Sequence, residues 1–386
     1  MVVTATTPIR IVSIETRVYR VPLERYVVTS FGTMRDRPAV YVRIEDAEGN
    51  FGWGEVWCNW PACGAEHRAR LVTEDVAEFV FGESFDEPAA LARHLTERTA
   101  IKVLQTDERG PFQQAIAGLD TAIFDLAARR AGVPLHIFLA PGSSGRIKAY
   151  ASGIHISEAP RMIAECRAAG YRAFKVKVGF DPVGDAAKVN DLIAGLSPDE
   201  RLMVDANQSW SIDQAKAFLA ALGHAPLGWF EEPMRVDTPD ALWHGLAGAT
   251  RVPLAGGENF TSLAAFAHAI KAGTHGIIQP DVAKWGGVSG CFEAGRMANA
   301  GGRIYCPHFL GGGIGLAASA HLLAAVGGDG LLEIDANDNP LRGAIVGQNW
   351  NVEDGEIEVS GAPGIGCEPD FEALDRFETG RFSAAK

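Results

Sequence analysis

The sequence has few cysteines and fewer basic than acidic residues. Six cysteines in 386 residues are too sparse for the disulfide framework of a small secreted domain. The 35 lysines and arginines stand against 48 aspartates and glutamates, which gives a net charge of −13. That charge opposes broad attraction to nucleic acid or to an anionic membrane, so we expect neither as a partner.

Segments for export or membrane insertion are also missing. The first residues have no basic region, long apolar core or small-residue cleavage site, which predicts a cytoplasmic protein. The longest uncharged stretch, residues 309–327, is interrupted by glycines and by His321, so we expect a loop that enters a buried helix. Its glycine run at 311–315 lacks the spacing of a dinucleotide fingerprint. That run either presents backbone N–H groups to an anion or forms a flexible loop.

What the chain does contain is a change of pattern near residue 145. Before it, residues 9–20 and 38–45 are typical of strands, 48–57 of a hairpin arm with turn glycines, and 66–81 and 112–132 of helices. After it, short β-branched runs alternate with alanine-rich helical segments, which indicates a parallel sheet, and eight such runs suggest a closed barrel. The eight predicted strands are 147–152, 172–178, 201–205, 227–232, 252–257, 275–279, 303–307 and 331–335.

Polar residues lie at or just past the C-terminal ends of seven of these strands. They recur at intervals of 28, 26, 27, 23, 27 and 25 residues, about one strand–helix unit each: Lys177, Asp205, Glu231, Glu258, Asp281, His308 and Glu333. All strand C-termini of a parallel barrel lie on one rim, where such barrels carry out chemistry. Residues far apart in the sequence are therefore expected to converge there.

Three of the seven, Asp205, Glu231 and Glu258, are carboxylates on consecutive strands. Without a cation they would repel one another, and an all-oxygen ligand set suits Mg²⁺ better than Zn²⁺. The alternative is that each pairs with a lysine or arginine of the barrel. Side-chain alternation lets only one of Glu231 and Glu232 face inward. We choose Glu231, since the opposite alternation would turn Glu231 and Trp229 outward, toward the helices that cover the barrel.

The remaining polar residues suggest acid and base groups. Lys175 and Lys177 lie two apart, so both point to the same side of one strand. Two ammonium groups close to each other and to a cation would each have a lowered pKa, as a general base requires, whereas the alternative is a solvated face. Asp281 and His308 end neighbouring strands, where the aspartate can fix the tautomer of the histidine and raise its basicity. Glu333 could hydrogen-bond a substrate carboxylate if it is protonated, or else pair with a lysine.

The chain resembles the mandelate racemase subgroup of the enolase superfamily in an ordered set of motifs: FKVKVG, VDAN, WFEEP, GGEN, QPDVAKWGG, CPH and LLEID. The segment FDLAARRAGVPLHIFLAPG resembles the junction between the capping domain and the barrel of that family. The resemblance implies an α/β fold with an N-terminal α+β capping domain over residues 1–132. A modified TIM barrel of (β/α)7β form would follow over 133–345, and a C-terminal segment, 346–386, would return to the cap. It also implies a homo-oligomer.

The resemblance assigns roles only where this chain matches the family's motifs. One Mg²⁺ ion per subunit would be bound by Asp205, Glu231 and Glu258. Lys177 would be the base on one face of the substrate, and His308, held by Asp281, would be the acid/base on the opposite face. Lys175 and Glu333 would stabilise the oxygens of an enediolate. The related muconate lactonizing subgroup has a lysine where this chain has Asp281.

Two outcomes remain open for a small carboxylate substrate. Mg²⁺ takes up the charge that builds as the α-proton leaves. If the opposite group returns the proton, the reaction is racemisation or epimerisation of a 2-hydroxy acid. If His308 protonates a departing β-hydroxyl, the product is a 2-keto-3-deoxy acid. The family favours the dehydration of a sugar acid, an aldonate or an aldarate, and a catalytically silent binding barrel is a third interpretation.

Substrate identity is expected to depend on the capping loops 23–37 and 57–64, which would close over the barrel mouth. Arginines in these loops, Arg37 among them, could bind the distal carboxylate of a diacid, and aromatic side chains could exclude water. The candidate substrate-binding residues are Asn207, Arg25, Arg35, Trp60 and Trp285, the last with burial against a helix as the alternative.

Overall fold

The computed structural model describes residues 8–29, 32–346 and 350–386. An antiparallel sheet of four strands, in the order β13-β1-β2-β3, forms the N-terminal domain, which we call the cap. Its strands are β1 (Ile11–Thr29), β2 (Gly32–Asp46), β3 (Phe51–Val56) and β13 (Glu378–Ala385). Because β13 pairs with β1, the last strand of the chain completes the sheet that the first strand begins.

Helices cover one face of the cap sheet. The helix α1 (Gly64–Arg70) continues through a π-helical turn and a 3₁₀ turn to Phe79. It is followed by α2 (Ala89–Thr106) and α3 (Arg109–Arg130). Every residue of α3 from 114 to 128 is buried, because this helix lies between the cap sheet and the barrel. A helix enclosed on all sides has no polar stripe, which agrees with its almost uniformly small and apolar sequence.

The glycines of β3 have a role other than the one expected. Gly49 does lie in the turn, with a φ of +82°, but Gly52 and Gly54 are within the strand and face α3. A Cβ on Gly54 would stand 1.9 Å from the carbonyl oxygen of Gly118, and one on Gly52 would stand 2.1 Å from that of Ala122. The strand and the helix therefore pack backbone against backbone, and only glycine fits at these two positions.

Eight parallel strands form the barrel, in the order β10-β9-β8-β7-β6-β5-β4-β11. The two ends of this order meet where the N–H of Leu331 donates to Sγ of Cys306 at 3.4 Å. Each of the eight strands overlaps a predicted one. They are β4 (Arg146–His155), β5 (Ala173–Lys177), β6 (Arg201–Asp205), β7 (Phe230–Glu231), β8 (Leu254–Gly256), β9 (Ile277–Ile278), β10 (Ile304–Tyr305) and β11 (Leu331–Asp335).

Seven helices connect these eight strands and confirm the (β/α)7β form. A short helix, α4 (Leu135–Leu139), precedes the barrel. The connecting helices are α5 (Ala159–Ala168), α6 (Pro182–Ala194), α7 (Ile212–Leu222), α8 (Asp240–Ala247), α9 (Leu263–Ala272), α10 (Gly287–Ala300) and α11 (Gly313–Val326). The chain then forms α12 (Pro340–Val346), β12 (Glu356–Glu358), which pairs with β4, and α13 (Phe371–Leu374).

A layer of buried side chains closes the lower part of the barrel. Tyr150 and Trp229 meet edge to face there, with ring centroids 5.2 Å apart. The other members of this layer are Ala173, Met203, Ala255, Ile277, Cys306 and Leu331. Because strand side chains alternate, the next inward residue on several strands is polar, as in Lys175, Asp205 and Glu231. The polar layer is therefore reached from the C-terminal rim alone.

The uncharged stretch 309–327 is a loop that leads into α11, as predicted. The helix has 14 residues, and all of them from Gly313 to Ala324 are buried. In the described ranges of the chain, no helix is both long and apolar enough to span a bilayer.

Burial of His275 predicts a loss of stability in acid. Burial lowers the pKa of this histidine from 6.5 to about 4. As the pH falls below 6.5, the unfolded chain binds a proton that the folded chain does not bind until about pH 4. The free energy of unfolding therefore falls by about 1.4 kcal/mol per pH unit over this window through this residue.

Urea denaturation at several pH values checks this expectation. We expect the His275→Gln variant to have a shallower slope of stability against pH between 6.5 and 4.5 than the original protein. His224→Gln, which removes an exposed histidine, is the control. Equal slopes for His275→Gln and the original protein would contradict the prediction.

Candidate active site

A cavity of about 860 Å³ lies where the C-terminal rim of the barrel faces the cap. The cap and the loop after β10 contribute mostly apolar side chains: Tyr26, Val27, Met34, Trp57, Trp60, Pro61 and Leu310. The barrel strands contribute polar ones, among them Lys177, Asn207, Glu258 and His308. The cavity therefore offers a charged floor beneath an apolar roof, which suits a small molecule with one ionised end.

The two lysines of β5 lie on the inner side of the barrel. Lys175 is fully buried, and its Nζ lies 2.5 Å from Oε1 of Glu231. Lys177 reaches the cavity, and its Nζ lies 2.5 Å from Oδ2 of Asp205. Burial disfavours a charged amine, but Glu231 and Asp205 outweigh it and raise the pKa of Lys175 and of Lys177, respectively. Each ammonium here has a carboxylate partner of its own, and the lowered pKa expected beside a bound cation stays a prediction.

Both glutamates of the WFEEP motif reach the site, contrary to the expectation that only Glu231 can. Glu231 does face inward, where Oε2 accepts hydrogen bonds from Trp229 Nε1 at 3.0 Å and Gln279 Nε2 at 2.7 Å. Glu232 follows the end of β7 with a φ of +38°, which breaks the alternation of the strand and turns its side chain to the cavity. Its Oε1 accepts from Asn259 Nδ2 at 2.7 Å. Among the described residues, its buried Oε2 has no hydrogen-bond partner.

Asp281 and His308 form the expected pair. Nδ1 of His308 lies 2.8 Å from Oδ2 of Asp281, and Nε2 lies 2.7 Å from Oε2 of Glu258. The other oxygen of Asp281 accepts the backbone N–H groups of Ala283 and Lys284, which fixes the carboxylate. Burial opposes a charged imidazole, but the carboxylates of Glu258, Glu333 and Asp281 hold the pKa of His308 well above its usual value.

Glu333 lies below the cavity together with Lys175. Its Oε1 is 2.7 Å from Nζ of Lys175, and Oε2 accepts the N–H of Phe309 at 3.0 Å. Burial alone would raise the pKa of Glu333, but Lys175 and His308 lower it to about 2. The structure contains the alternative interpretation, a pairing of Glu333 with a lysine, and the role of Glu333 toward a substrate stays a prediction.

The donor set fits a hard divalent cation. The pKa of Glu232 is raised well above its usual value, because burial and then the charges of Glu258 and Asp205 oppose its ionisation. A doubly charged ion would relieve that crowding, and oxygen donors are those that Mg²⁺ prefers. Within the described parts of the chain, no three such side chains already form a metal-binding group. Each predicted ligand instead faces a cationic side chain: Asp205 faces Lys177, Glu231 faces Lys175 and Glu258 faces His308.

Some of the candidate substrate-binding residues line the cavity and others do not. Asn207 and Trp60 line the cavity, and the N–H of Asn207 also donates to Oδ1 of Asp205 at 2.7 Å. Arg35 is exposed and does not line the cavity, whereas Arg37 on the same strand is buried and does. Trp285 packs against Phe266, with ring centroids 5.3 Å apart, and does not line the cavity either. The side chain of Arg25 lies outside the described residues.

Sequence reasoning named Arg37 but missed Lys284, Asn259 and Asp335 as cavity residues. Lys284, in the loop after β9, donates from Nζ to Oδ1 of Asn259 at 2.8 Å and lies 5.0 Å from the ring centre of Trp57. Arg37 crosses from the cap to β11, where its Nη2 lies 2.6 Å from Oδ2 of Asp335. The rule that selected the rim residues also applies to Lys284, Asn259 and Asp335, since each lies just past the end of a barrel strand.

Curated proteins similar to this chain include cycloisomerases, dehydratases and an o-succinylbenzoate synthase. A D-galactarolactone cycloisomerase of Agrobacterium fabrum is 29% identical over 374 residues, which cover 92% of this chain and 96% of the relative. A D-galactonate dehydratase of Xanthomonas euvesicatoria pv. vesicatoria is 29% identical over 364 residues, which cover 87% and 90%.

Solved structures match over nearly the whole chain. A mandelate racemase/muconate lactonizing enzyme from Bordetella bronchiseptica RB50 is 49% identical with a TM-score of 0.89, and the match covers 96% of this chain and 99% of the other. A racemase from Streptomyces coelicolor A3(2) with bound magnesium is 27% identical with a TM-score of 0.84, covering 96% and 100%.

Family models match both domains. The model of the mandelate racemase/muconate lactonizing enzyme N-terminal domain matches residues 13–139, and the enolase C-terminal domain-like model matches residues 159–374. With the (β/α)7β barrel and the relatives above, these matches confirm the resemblance seen in the motifs. The chain belongs to the mandelate racemase/muconate lactonizing enzyme family of the enolase superfamily.

Proposed function

We propose that this protein removes the proton α to a carboxylate in a Mg²⁺-dependent reaction and thereby dehydrates a sugar acid to a 2-keto-3-deoxy acid. The observation that carries the proposal is the placement of Lys177 and His308. Their strands, β5 and β10, are three steps apart around the barrel in one direction and five in the other. Both side chains line the cavity, so they face a bound substrate from nearly opposite sides.

Asp205, Glu231 and Glu258 are the proposed ligands of the cation, with Glu232 beside them. The cation would supply positive charge for the carboxylate of the substrate and for the charge that develops when the α-proton leaves. The magnesium-bound racemase among the similar structures supports this assignment.

The protein's own groups then move the protons. Lys177, as the neutral amine, takes the proton from C2, and the electron pair of the C–H bond is delocalised into the carboxylate. As that pair returns to form the C2–C3 double bond, the C3–O bond breaks and His308 gives its proton to the departing hydroxyl, which leaves as water. The enol that remains gains a proton at C3 and loses one from its C2 hydroxyl, which yields the 2-keto-3-deoxy acid. If His308 returned its proton to C2 instead, the result would be racemisation.

A screen of aldonic and aldaric acids tests the proposal. The purified protein is incubated with Mg²⁺ and each acid, and 2-keto acid formation is measured. A product with one substrate supports the dehydratase. If no acid in the library gave a 2-keto acid, and 2-hydroxy acids exchanged their α-proton in D₂O, racemisation would replace dehydration as the proposed reaction.

We expect aldonates to be better substrates than the corresponding aldarates. In the described part of the chain, two arginines line the cavity, and each already has a carboxylate partner: Arg37 has Asp335 at 2.6 Å, and Arg161 has Glu158 at 2.6 Å. To pair with an arginine, the second carboxylate of an aldarate would have to displace one of these partners. We expect kcat/KM to be about tenfold higher for the monoacid of each pair, a difference of about 1.4 kcal/mol. A preference for the diacids would contradict this.

The two neighbouring glutamates allow a sharp test of the cation site. We expect Glu231→Gln to weaken Mg²⁺ binding by more than about 100-fold, because it removes a ligand, and Glu232→Gln by about tenfold or less, because it removes only a nearby charge. Calorimetric titration with MgCl₂ measures both, and Glu165→Gln on the exposed face of α5 is the control. A larger loss for Glu232→Gln would move the ligand assignment to Glu232.

A further inference from the structure

The loops that carry Asp281 and His308 are held from the cap. After Asp281 the chain enters α10, and after His308 it enters α11. Both helices begin beside a buried carboxylate that belongs to the cap: Asp120 of α3 for the first and Glu55 of β3 for the second.

Glu55 binds the start of α11. Its Oε1 accepts the N–H of Gly312 at 2.6 Å, and its Oε2 accepts the N–H of Gly315 at 2.9 Å. A Cβ on Gly312 would stand 2.3 Å from the hydroxyl of Tyr41 and 2.9 Å from Glu55. The glycine run at 311–315 is therefore not a flexible loop. It does present N–H groups to an anion, but the anion is the carboxylate of Glu55.

Asp120 binds the start of α10 in the same way. Its Oδ2 accepts the N–H of Ser289 at 2.8 Å, and its Oδ1 accepts the hydroxyl of Ser289 at 2.8 Å. Gly287 has a φ of +55°, and a Cβ there would stand 2.4 Å from Oδ2 of Asp120. Both Asp120 and Glu55 are almost completely shielded from solvent.

The segment that follows Glu55 contacts both loops as well. The N–H of Trp57 donates to the carbonyl oxygen of Ala283, two residues after Asp281, at 3.2 Å. Nδ2 of Asn59 donates to the carbonyl oxygen of Leu310, two residues after His308, at 3.1 Å. One short stretch of the cap, residues 55–59, therefore fixes the backbone on both sides of the Asp281–His308 hydrogen bond.

We propose that Glu55 and Asp120 are positioning residues that set the geometry of the Asp281–His308 pair from the cap. The effect that this inference predicts on the reaction rate rests on the proposed function, in which His308 is the acid. A displacement of the imidazole by about 1 Å is enough to lower the rate about 100-fold. Lys177 and Asp205, which are carried by barrel strands, have no such link to residues 55–59.

Asp125 provides a matched control on the same helix as Asp120. It is equally buried, and it accepts the backbone N–H groups of Trp53 and Ile365 at 2.8 and 2.7 Å. Its contacts therefore hold β3 and the C-terminal segment rather than the two loops. Because Asp125 also forms an ion pair with Arg129 at 2.9 Å, a general loss of stability would affect Asp125→Asn at least as much as Asp120→Asn, whereas a positioning role would not.

The experiment compares Glu55→Ala, Glu55→Gln, Asp120→Asn and Asp125→Asn. We expect kcat to fall about 10- to 100-fold in Glu55→Ala and Asp120→Asn with KM changed less than threefold. Glu55→Gln should recover most of the rate, because its amide oxygen still accepts from one of the two glycine N–H groups. Asp125→Asn should keep kcat. An equal fall of kcat in Asp125→Asn, or an unchanged kcat in both Glu55→Ala and Asp120→Asn, would overturn the proposal.

A second measurement needs no substrate and so separates this inference from the proposed function. Amide hydrogen exchange followed by mass spectrometry reports the mobility of residues 281–289 and 306–315. Faster exchange there in Glu55→Ala and Asp120→Asn, but not in Asp125→Asn, supports the proposal even if the enzyme has another reaction. Unchanged exchange in these segments would overturn it, and Glu55→Gln serves the same comparison should Glu55→Ala not fold.

Discussion

Replacement of Lys177 by alanine is expected to lower kcat about 1,000-fold or more. Proton transfer by a positioned side chain contributes about 10²- to 10⁴-fold, and both dehydration and racemisation begin with removal of the α-proton. Of the two lysines of β5, Lys177 lines the cavity, whereas Lys175 is buried beneath it between Glu231 and Glu333. No neighbouring amine on β5 is therefore placed to take over the step.

The fold should survive this change. Asp205 loses the ammonium of Lys177, but it keeps hydrogen bonds from the N–H and the side-chain amide of Asn207, at 2.7 and 3.2 Å. Steady-state kinetics and a thermal melt, with the exposed Lys216→Ala as the control, check the expectation. Full activity of Lys177→Ala on the true substrate would refute the mechanism.

Replacement of His308 by asparagine is expected to abolish turnover but not proton removal. His308 is the group on the far side of the cavity from Lys177, and its Nδ1 is held by Asp281 at 2.8 Å. Asparagine keeps a polar side chain beside Asp281 but cannot deliver a proton to a leaving hydroxyl. We expect kcat for dehydration to fall about 1,000-fold or more.

Proton exchange separates the two halves of the reaction. In D₂O, Lys177 of the His308→Asn variant should still exchange the α-proton of the substrate, which NMR detects as loss of the C2–H signal without formation of the 2-keto acid. Lys177→Ala is the control, because it should lose both. If His308→Asn dehydrated its substrate at the original rate, another group would have to be the acid.

The repeat of the barrel explains why much of the site could be predicted. One residue at the end of each strand, spaced by one strand–helix unit, was enough to bring Lys177, Asp205, Asp281 and His308 together. The sequence also predicted which side chains of β7 face inward, since Trp229 and Glu231 do share the inner face. These features depend on periodicity, which a sequence displays directly.

What was missed depends on geometry that periodicity does not contain. Glu232 enters the cavity because of a single positive φ, which no pattern of residue types predicted. The pairing of each lysine of β5 with a carboxylate was an alternative that the sequence left open, because such pairings depend on side-chain rotamers. Met34 and Arg37 reach the cavity and Arg35 does not, because the alternation of β2 is interrupted where its pairing with β1 shifts register.

The pairing of β13 with β1 has a consequence for synthesis in the cell. The hydroxyl of Thr379 and the carbonyl oxygen of Val18, which lie side by side in the cap, are 361 residues apart in the chain. At about 5–20 residues per second, a ribosome needs about 20 to 70 s to make the intervening chain. During that time one edge of β1 has no neighbour, and an open strand edge is a template for aggregation. Slower translation therefore lengthens the exposure of this edge, and the yield of folded protein becomes a matter of elongation speed and chaperone supply.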